Sequence, residues 1–285
     1  MKPRNALLPL ASILFAGCLE HPITQVELCK IGTPELPIKL EENGDVDILF
    51  VIDNSGSMAE EQSRLARNFE AFADRLDTMG AHYRIGFTTT DSGNPRCSGT
   101  TPEGGDLVLR SCLDRLGEGA FQFNDINAAY ACTDVCGLTG DQLAVRPSTA
   151  SGASDGQEAE PRPWIEKIDG VSNLPGGVSM ADAFACFGPQ GIDGCGFEQP
   201  LESMYRALQK ALEPSEGNHG FMRDNALLSV IFVTDETDCS YDPGHSDIFT
   251  SDKTFWESPD DPAPTSALCW NAGVACQGPG PVYDG

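Results

Sequence analysis

Three oxygen-bearing side chains stand at alternate positions of one short loop, directly after an apolar run. The run is Ile48–Ile52, and the side chains are Asp53, Ser55 and Ser57. A carboxylate and two hydroxyls are hard oxygen ligands, which suit Mg²⁺ or a similar divalent ion. Because Mg²⁺ takes few protein ligands, it keeps coordination positions open. The residue types and their spacing therefore predict a divalent-metal site with room for a partner.

A second apolar run ends in the same way. Leu227–Val233 is continuous and apolar, and Thr234 and Asp235 follow it. Runs of this kind are typical of central strands of a parallel sheet, which are buried on both faces. Open α/β sheets bind their ligands at the carboxyl ends of such strands. We therefore expect Asp53 and Asp235 to lie close together at one edge of a sheet.

The segments between these two strands show helical and strand patterns. A first helix is predicted from Ala59 to Met79 because apolar residues recur at three- and four-residue spacing. Gly80 follows it, as a glycine just past a helix commonly does. A strand is predicted at Tyr83–Thr89, and a second helix at Pro200–Leu212 with proline in its first turn. This order predicts an α/β fold: a doubly wound, mostly parallel sheet flanked by helices.

The Asp-x-Ser-x-Ser pattern between a strand and a helix resembles the metal-ion-dependent adhesion site of the von Willebrand factor A domain. Asp53, Ser55 and Ser57 match that pattern, and Asp235 matches the distal aspartate that ends a later strand of the family. The resemblance implies a Rossmann-like sheet and a bound Mg²⁺, Mn²⁺ or Ca²⁺. It also implies a protein partner, whose acidic side chain completes the metal shell.

The chain departs from the family at the middle metal ligand, which is normally a threonine. Counting back from the predicted helix at 200–212 places that ligand near Cys195, Gly196 or Phe197. Since none of these is a threonine, Glu198 is the nearest oxygen ligand, and Ser179 is a competing candidate. The loss of the threonine predicts a weaker metal site.

The amino terminus has the features of an export signal. Lys2 and Arg4 precede an apolar stretch at 6–16, which is too short to span a bilayer. The residues that end at Cys18 resemble a bacterial lipobox, which implies lipidation of Cys18 and attachment to the cell envelope, with Leu19 favouring the outer membrane. The alternative is an ordinary signal peptide with Cys18 in a disulfide.

Cysteine usage supports export. Of the 11 cysteines, 10 remain when Cys18 is set aside, which allows up to five disulfides in an oxidising compartment. Short loops favour three pairings: Cys97 with Cys112, Cys132 with Cys136, and Cys186 with Cys195.

Charge and composition set the domain plan. The formal net charge of −25 disfavours binding to nucleic acid or to an anionic membrane surface, so the membrane contact we expect is the lipid anchor alone. We predict a signal peptide (1–17), a tether (18–44), a von Willebrand A-like domain (45–240) and an irregular cysteine-containing tail (241–285). Because this tail adds no further strand or helix, we expect either a truncated chain or a fold that finishes differently from the family. The domain should carry a disulfide-rich insertion at about 91–195, with a short strand at Leu107–Leu109 and a short helix at Met180–Phe187.

These patterns favour a cell-envelope lipoprotein that binds a protein partner through a divalent metal. The same patterns leave two other classes open. One is a structural envelope subunit with a degenerate metal site, because the threonine is missing. The other is a metal-dependent hydrolase. An enzyme that used Asp53 as a nucleophile, as aspartyl-phosphate enzymes do, would have a second carboxylate two residues later, and the chain has Ser55 there. We therefore expect that the protein is not an enzyme.

Overall fold

The computed structural model describes residues 44–148 and 159–274 of the 285-residue chain. The predicted signal peptide, Cys18 and residues 18–43 of the predicted tether lie outside the described residues. None of the helices in the described ranges has both the length and the apolar character needed to cross a bilayer.

The described part of the chain contains seven strands and seven α-helices. The strands are β1 (Asp45–Ile52), β2 (His82–Thr89), β3 (Gln122–Phe123), β4 (Ile126–Asn127), β5 (Trp164–Ile168), β6 (Val171–Ser172) and β7 (Leu227–Val233). The α-helices are α1 (Ala59–Thr78), α2 (Cys112–Gly117), α3 (Tyr130–Thr133), α4 (Gly140–Leu143), α5 (Met180–Phe187), α6 (Pro200–Leu212) and α7 (Ala267–Gly273). A 3₁₀ segment at Pro243–Phe249 precedes α7.

Five strands form one mixed sheet in the order β6-β5-β2-β1-β7. β1 pairs in parallel with β2 on one side and with β7 on the other, so Ile52 lies beside both Thr89 and Val233. β5 and β6 extend the sheet by antiparallel pairing. The chain is therefore an α/β protein in which the three neighbouring parallel strands β2, β1 and β7 end at one edge, with β7 as the outer strand.

The two faces of β1 enter different hydrophobic clusters. Ile48, Phe50 and Ile52 pack with apolar residues of α1 and α5 on one face. Leu49 and Val51 pack with α6 on the other face. Successive side chains of a strand point to opposite faces, so an unbroken apolar run is what a strand covered on both sides requires. Burial of each such side chain stabilises the fold by about 1.5–3 kcal/mol.

The predicted helices α1, α5 and α6 are all present, and the prediction of a strand at Leu107–Leu109 is wrong. That segment is irregular, although the Val108 N–H donates to the Phe87 carbonyl at 2.9 Å. A strand requires a series of backbone hydrogen bonds to its neighbour, and this segment makes one to β2. The antiparallel partner of β2 is instead β5, which pairs with its amino-terminal half.

The range predicted as an insertion contributes to the main sheet. Residues 91–195 contain β5 and β6, and α5 within it packs on the core face of β1. The remaining part of this range, with α2, α3 and the small β3–β4 hairpin, forms a lobe beside α1 that carries several of the cysteines.

The tail after residue 240 folds back onto the segment before α6, and the prediction that it contains no helix is wrong, because it includes the 3₁₀ segment and α7. Phe249, Trp256 and Leu268 form a third hydrophobic cluster, together with Phe197. Phe197 immediately precedes Glu198 in the sequence. The tail therefore packs against the segment that carries one of the predicted site residues. Residues from 275 onwards lie outside the described residues.

The cysteine pairing differs from the predicted short loops. The disulfides join Cys97 with Cys195, Cys112 with Cys132, Cys136 with Cys186, and Cys239 with Cys269. All three predicted pairings are therefore wrong, because loop length accounts for closure entropy and says nothing about which distant cysteines the fold brings together. Cys29 and Cys276 lie outside the described residues.

We expect replacement of both Cys136 and Cys186 by alanine to lower the free energy of unfolding by about 2–4 kcal/mol, because that disulfide closes a loop with a sequence separation of 50 residues. Urea unfolding measures the change. Peptide mapping without reduction should recover Cys136 linked to Cys186; recovery of Cys132 linked to Cys136 would contradict this pairing.

Candidate metal site

Asp53 lies at the carboxyl end of β1, in the middle of the sheet. Its backbone N–H donates to the Val233 carbonyl at 2.9 Å, which ties the start of the loop to the end of β7. Its side chain is fully buried. Oδ1 accepts the Ser55 N–H at 2.8 Å, and Oδ2 accepts the Thr234 hydroxyl at 2.7 Å. The carboxylate is therefore held in one orientation by groups from two neighbouring strand ends.

The two serines extend this arrangement to Asp235. The hydroxyl oxygens of Ser55 and Ser57 lie 3.2 Å apart, and the Ser57 hydroxyl donates to Asp235 Oδ1 at 3.1 Å. Ser55 is buried, whereas Ser57 is exposed. The oxygens thus run from the interior at Asp53 to the surface at Ser57 and Asp235, which leaves one side of the cluster open to solvent.

A buried glutamine holds the loop that begins at Asp53 by hydrogen bonds. Gln62 of α1 is fully buried, and its Nε2 donates to the carbonyls of Asp53 at 2.6 Å and Gly191 at 2.8 Å. Its Oε1 accepts the N–H groups of Gln190 at 2.8 Å and Gly191 at 3.2 Å. One side-chain amide therefore joins the end of β1 to the segment that leads to Glu198.

Glu198 is fully buried two residues before α6. Backbone hydrogen bonds hold its segment in place. The Gln199 N–H donates to the Thr90 carbonyl at 2.9 Å, and the Cys239 N–H donates to the Glu198 carbonyl at 2.7 Å. Within the described part of the chain, neither carboxylate oxygen of Glu198 has a hydrogen-bond partner. The Ser55 hydroxyl lies near this carboxyl group and 3.2 Å from the Ser57 hydroxyl.

Burial and mutual repulsion make this cluster unfavourable for several negative charges. Burial and the charge of Asp53 together raise the pKa of Glu198 to about 8. Burial also raises the pKa of Asp53, against hydrogen bonds from Ser55 and Thr234. The pKa of Glu236 is raised by burial and by the charges of Asp235 and Asp53. A cation at this position would relieve all three effects.

Other buried acids of the same sheet are neutralised by arginine. Asp47 of β1 pairs with Arg223 at 2.8 Å, and Glu166 of β5 pairs with Arg84 at 3.0 Å. Both pairs lie towards the amino ends of β1 and β2. At the carboxyl ends, by contrast, the described residues place no basic side chain in an ion pair with Asp53 or Glu198. A bound cation would supply the positive charge that arginine supplies to the other buried acids.

The donor set fits a hard divalent cation. Orphaned carboxylate oxygens at Glu198, two hydroxyls and the Asp53 and Asp235 carboxylates are oxygen ligands suited to Mg²⁺, Mn²⁺ or Ca²⁺. Among the described residues, the acidic, histidine and cysteine side chains that place three ligand atoms within 4.8 Å of one another are Cys112, Cys132 and Cys136; the carboxylates of Asp53, Glu198 and Asp235 are more widely spaced. All three cysteines are in disulfides, so they are not thiolates that bind a metal.

The structure brings the predicted residues Asp53, Ser55, Ser57 and Asp235 into contact and buries Glu198 beside Asp53. Ser179 has a different role. It is the N-cap of α5, where its hydroxyl accepts the Asp182 N–H at 3.0 Å in a reciprocal capping box. Of the two candidates for the missing threonine position, Glu198 is therefore the one at the site.

Three residues near the site were missed by the sequence predictions. Gln62 occupies the same helical stripe as the apolar residues of α1, and a polar residue on a core-facing stripe was a readable signal. Thr234 was seen only as part of a strand end, although its hydroxyl binds Asp53. Thr90 at the end of β2 is fully buried, and its hydroxyl has no partner among the described residues. Nothing in the sequence distinguishes it from Thr88 and Thr89.

No protein-family model matches the chain, and searches of curated proteins and of solved structures find no significant match.

In metal-free protein, we expect Glu198→Gln to remove a loss of stability that the wild type shows between about pH 4.5 and about pH 8. The raised pKa means that the folded state keeps its proton up to about pH 8, whereas the unfolded glutamate loses it near its ordinary value of 4.5. Wild-type stability should therefore fall as pH rises through this window, and the fall should be complete above it. Urea unfolding in chelator at about pH 5 and about pH 9 measures the effect.

The exposed Glu213→Gln variant is the matched control, and it should follow the wild type. If Glu198→Gln loses as much stability as the wild type between the two pH values, Glu198 does not titrate as described.

Proposed function

We propose that the protein is an exported binding protein whose von Willebrand A-like domain holds a divalent metal and recognises an acidic side chain of a protein partner. The observation that carries this proposal is the joint placement of Asp53, Ser55, Ser57 and Asp235 around one opening, with the partnerless carboxylate of Glu198 buried behind them. Buried acids without a basic partner favour a cation.

The topology supports the doubly wound interpretation. β2, the next strand of the sheet in the chain, lies on one side of β1, and β7 lies on the other. α1 and α6 cover opposite faces of the sheet. The carboxyl end of β1 is therefore a topological switch point, which is where open α/β sheets bind ligands. Asp53 is the first residue of the loop at that point.

In this proposal Asp53, Ser55 and Ser57 hold the ion, with Asp235 and Glu198 completing its surroundings. A bound divalent cation supplies a positive centre with coordination positions left for an external carboxylate. Ser57 and Asp235 lie at the surface, so the partner approaches from their side. The role of this chain in the proposal is to bind and orient, and we propose no reaction.

The second candidate is a structural envelope subunit with a degenerate site. The observation that favours it is the buried Glu198 in the position where the family has a threonine. With a pKa of about 8, this carboxyl group is predominantly neutral at pH 7, and a neutral acid is a weak metal ligand. Metal titration separates the two functions.

Calorimetric titration with MgCl₂ and MnCl₂ should show one saturable site in the wild type. Asp53→Ala, and the double variant Ser55→Ala with Ser57→Ala, should show no binding at millimolar metal, because each removes oxygen ligands from the ion. Circular dichroism should report an unchanged fold for the serine variant, since neither hydroxyl belongs to a hydrophobic cluster.

Asp224→Ala is the control for removal of an acid. Asp224 is exposed near the opposite end of β7, so its variant should keep wild-type metal affinity. A wild type without saturable binding would contradict the metal-dependent function and leave the structural one.

Export and lipid anchoring form part of the same proposal. Four disulfides within the described residues suit an oxidising compartment, and the amino-terminal residues resemble a lipoprotein signal that ends at Cys18. Mass spectrometry of the membrane-extracted protein should find a diacylated chain that begins at Cys18. An unmodified Cys18 inside a longer chain would contradict it.

A further inference from the structure

An apolar pair stands on the surface beside the candidate metal loop. Phe123 of β3 and Ile126 of β4 are 40% and 50% exposed. They are register partners in the two-stranded hairpin, so their side chains lie on the same face of it. Large apolar side chains that share an exposed face mark a binding surface more often than scattered single residues do.

The hairpin touches the loop that would hold the metal. A Cβ atom built on Gly56 would lie 2.5 Å from Cδ1 of the Phe123 ring. The ring therefore packs directly on the backbone of Gly56, between Ser55 and Ser57, and only glycine leaves room for it. The apolar face of Phe123 and Ile126 is thus continuous with the predicted ligand loop.

Backbone hydrogen bonds hold the base of the hairpin in place. Next to it in the sequence, Phe121 is fully buried, and its carbonyl accepts the Ala128 N–H at 2.9 Å across the base of the hairpin. The Ala120 carbonyl accepts the Ile192 N–H at 2.6 Å, which joins the hairpin to the segment that leads to Glu198. A rigid mount lowers the entropic cost of using these side chains for recognition.

We propose that this hairpin face and the metal form a two-point docking surface for an extended partner segment in which a large apolar side chain adjoins a carboxylate. The inference rests on the proposed function, because the carboxylate is the group that reaches the metal. The apolar neighbour covers Phe123 and Ile126. This surface therefore selects among acidic partners, which the metal alone does not do.

The negative charge of this protein determines which residues can flank the apolar residue and the carboxylate of the partner segment. The chain has a net charge of −25, and Asp125 at the hairpin tip and Asp193 near its base are exposed acids. Acidic flanking residues would be repelled, whereas lysine or arginine would be attracted. The partner segment is therefore a single carboxylate beside an apolar residue, with basic residues on either side.

Fluorescence anisotropy with a labelled peptide of sequence Lys-Gly-Leu-Glu-Gly-Lys tests this surface. In millimolar MgCl₂ the wild type should bind the peptide, and chelator should abolish binding. Phe123→Ser and Ile126→Ser should each weaken binding by about tenfold, as expected for loss of a buried apolar contact. Calorimetry should give Ile126→Ser the Mg²⁺ affinity of the wild type.

Val171→Ser is the matched control. Val171 is 67% exposed on β6, towards the other end of the sheet, and its replacement should change neither affinity. Changing the peptide leucine to serine should weaken wild-type binding by about the same factor, and should have little further effect on the Phe123→Ser protein. That non-additivity is the signature of a direct contact between the two apolar groups.

The outcomes separate the two levels of the proposal. No saturable Mg²⁺ binding by the wild type would overturn the metal site and this surface together. Mg²⁺ binding with no peptide binding, or with equal peptide affinities for wild type, Ile126→Ser and Val171→Ser, would overturn the docking surface alone. Dimerisation of the wild type that Phe123→Ser abolishes would show that a second copy of the chain covers the face, and would also overturn it.

Discussion

The arrangement of the whole sheet edge depends on the burial of two carboxylates, Asp53 and Glu198, where no arginine or lysine of the described residues pairs with them. Removing a carboxylate from water without a compensating charge is unfavourable, so the group must be protonated, hydrogen-bonded or bound to a cation. The protein uses the second solution for Asp53, through Ser55 and Thr234. Neither carboxylate oxygen of Glu198 is satisfied in that way. The amino-terminal half of the sheet solves the same problem with buried arginines, and this contrast is why the carboxyl end has the character of a site rather than of a core.

The surrounding elements keep these groups in place instead of letting them relax into solvent. Gln62 makes four hydrogen bonds that tie the start of the metal loop to residues 190–191. The Cys97–Cys195 disulfide restrains the same segment, and the cluster of Phe197, Phe249 and Trp256 packs beside Glu198. An unsatisfied buried polar group costs about 1–3 kcal/mol. The tail and the disulfides stabilise the structure against that cost, so they are part of the support of the site.

The outer surface carries two kinds of recognition that act differently. The negative field of the chain is long-ranged and weakens with salt, and it disfavours acidic partners in general. A bound cation reverses that preference over a few ångströms, and the apolar face of Phe123 and Ile126 adds a short-ranged, non-directional attraction next to it. In the proposed function these two terms together select one local pattern in a partner, because neither the metal nor the apolar pair alone distinguishes that pattern from others.

The sequence by itself determined the elements in which local periodicity and burial agree. The apolar run of β1, the helical stripe of α1 and the Asp-x-Ser-x-Ser loop were all readable, because strand ends and loop spacing are local properties. The run at Leu227–Val233 does form a strand, but its expected burial on both faces is wrong, because β7 is the outer strand of the sheet and is only partly buried. Tertiary structure decided the disulfide partners, since distant cysteines meet only after β5, α5 and the small hairpin have packed. It also decided the position of Glu198 beside Asp53 and of Phe123 on Gly56, two contacts between segments far apart in the chain. Local pattern fixes which face of an element is apolar, whereas the environment of a buried charge is set by whatever side chains the fold brings within a few ångströms of it.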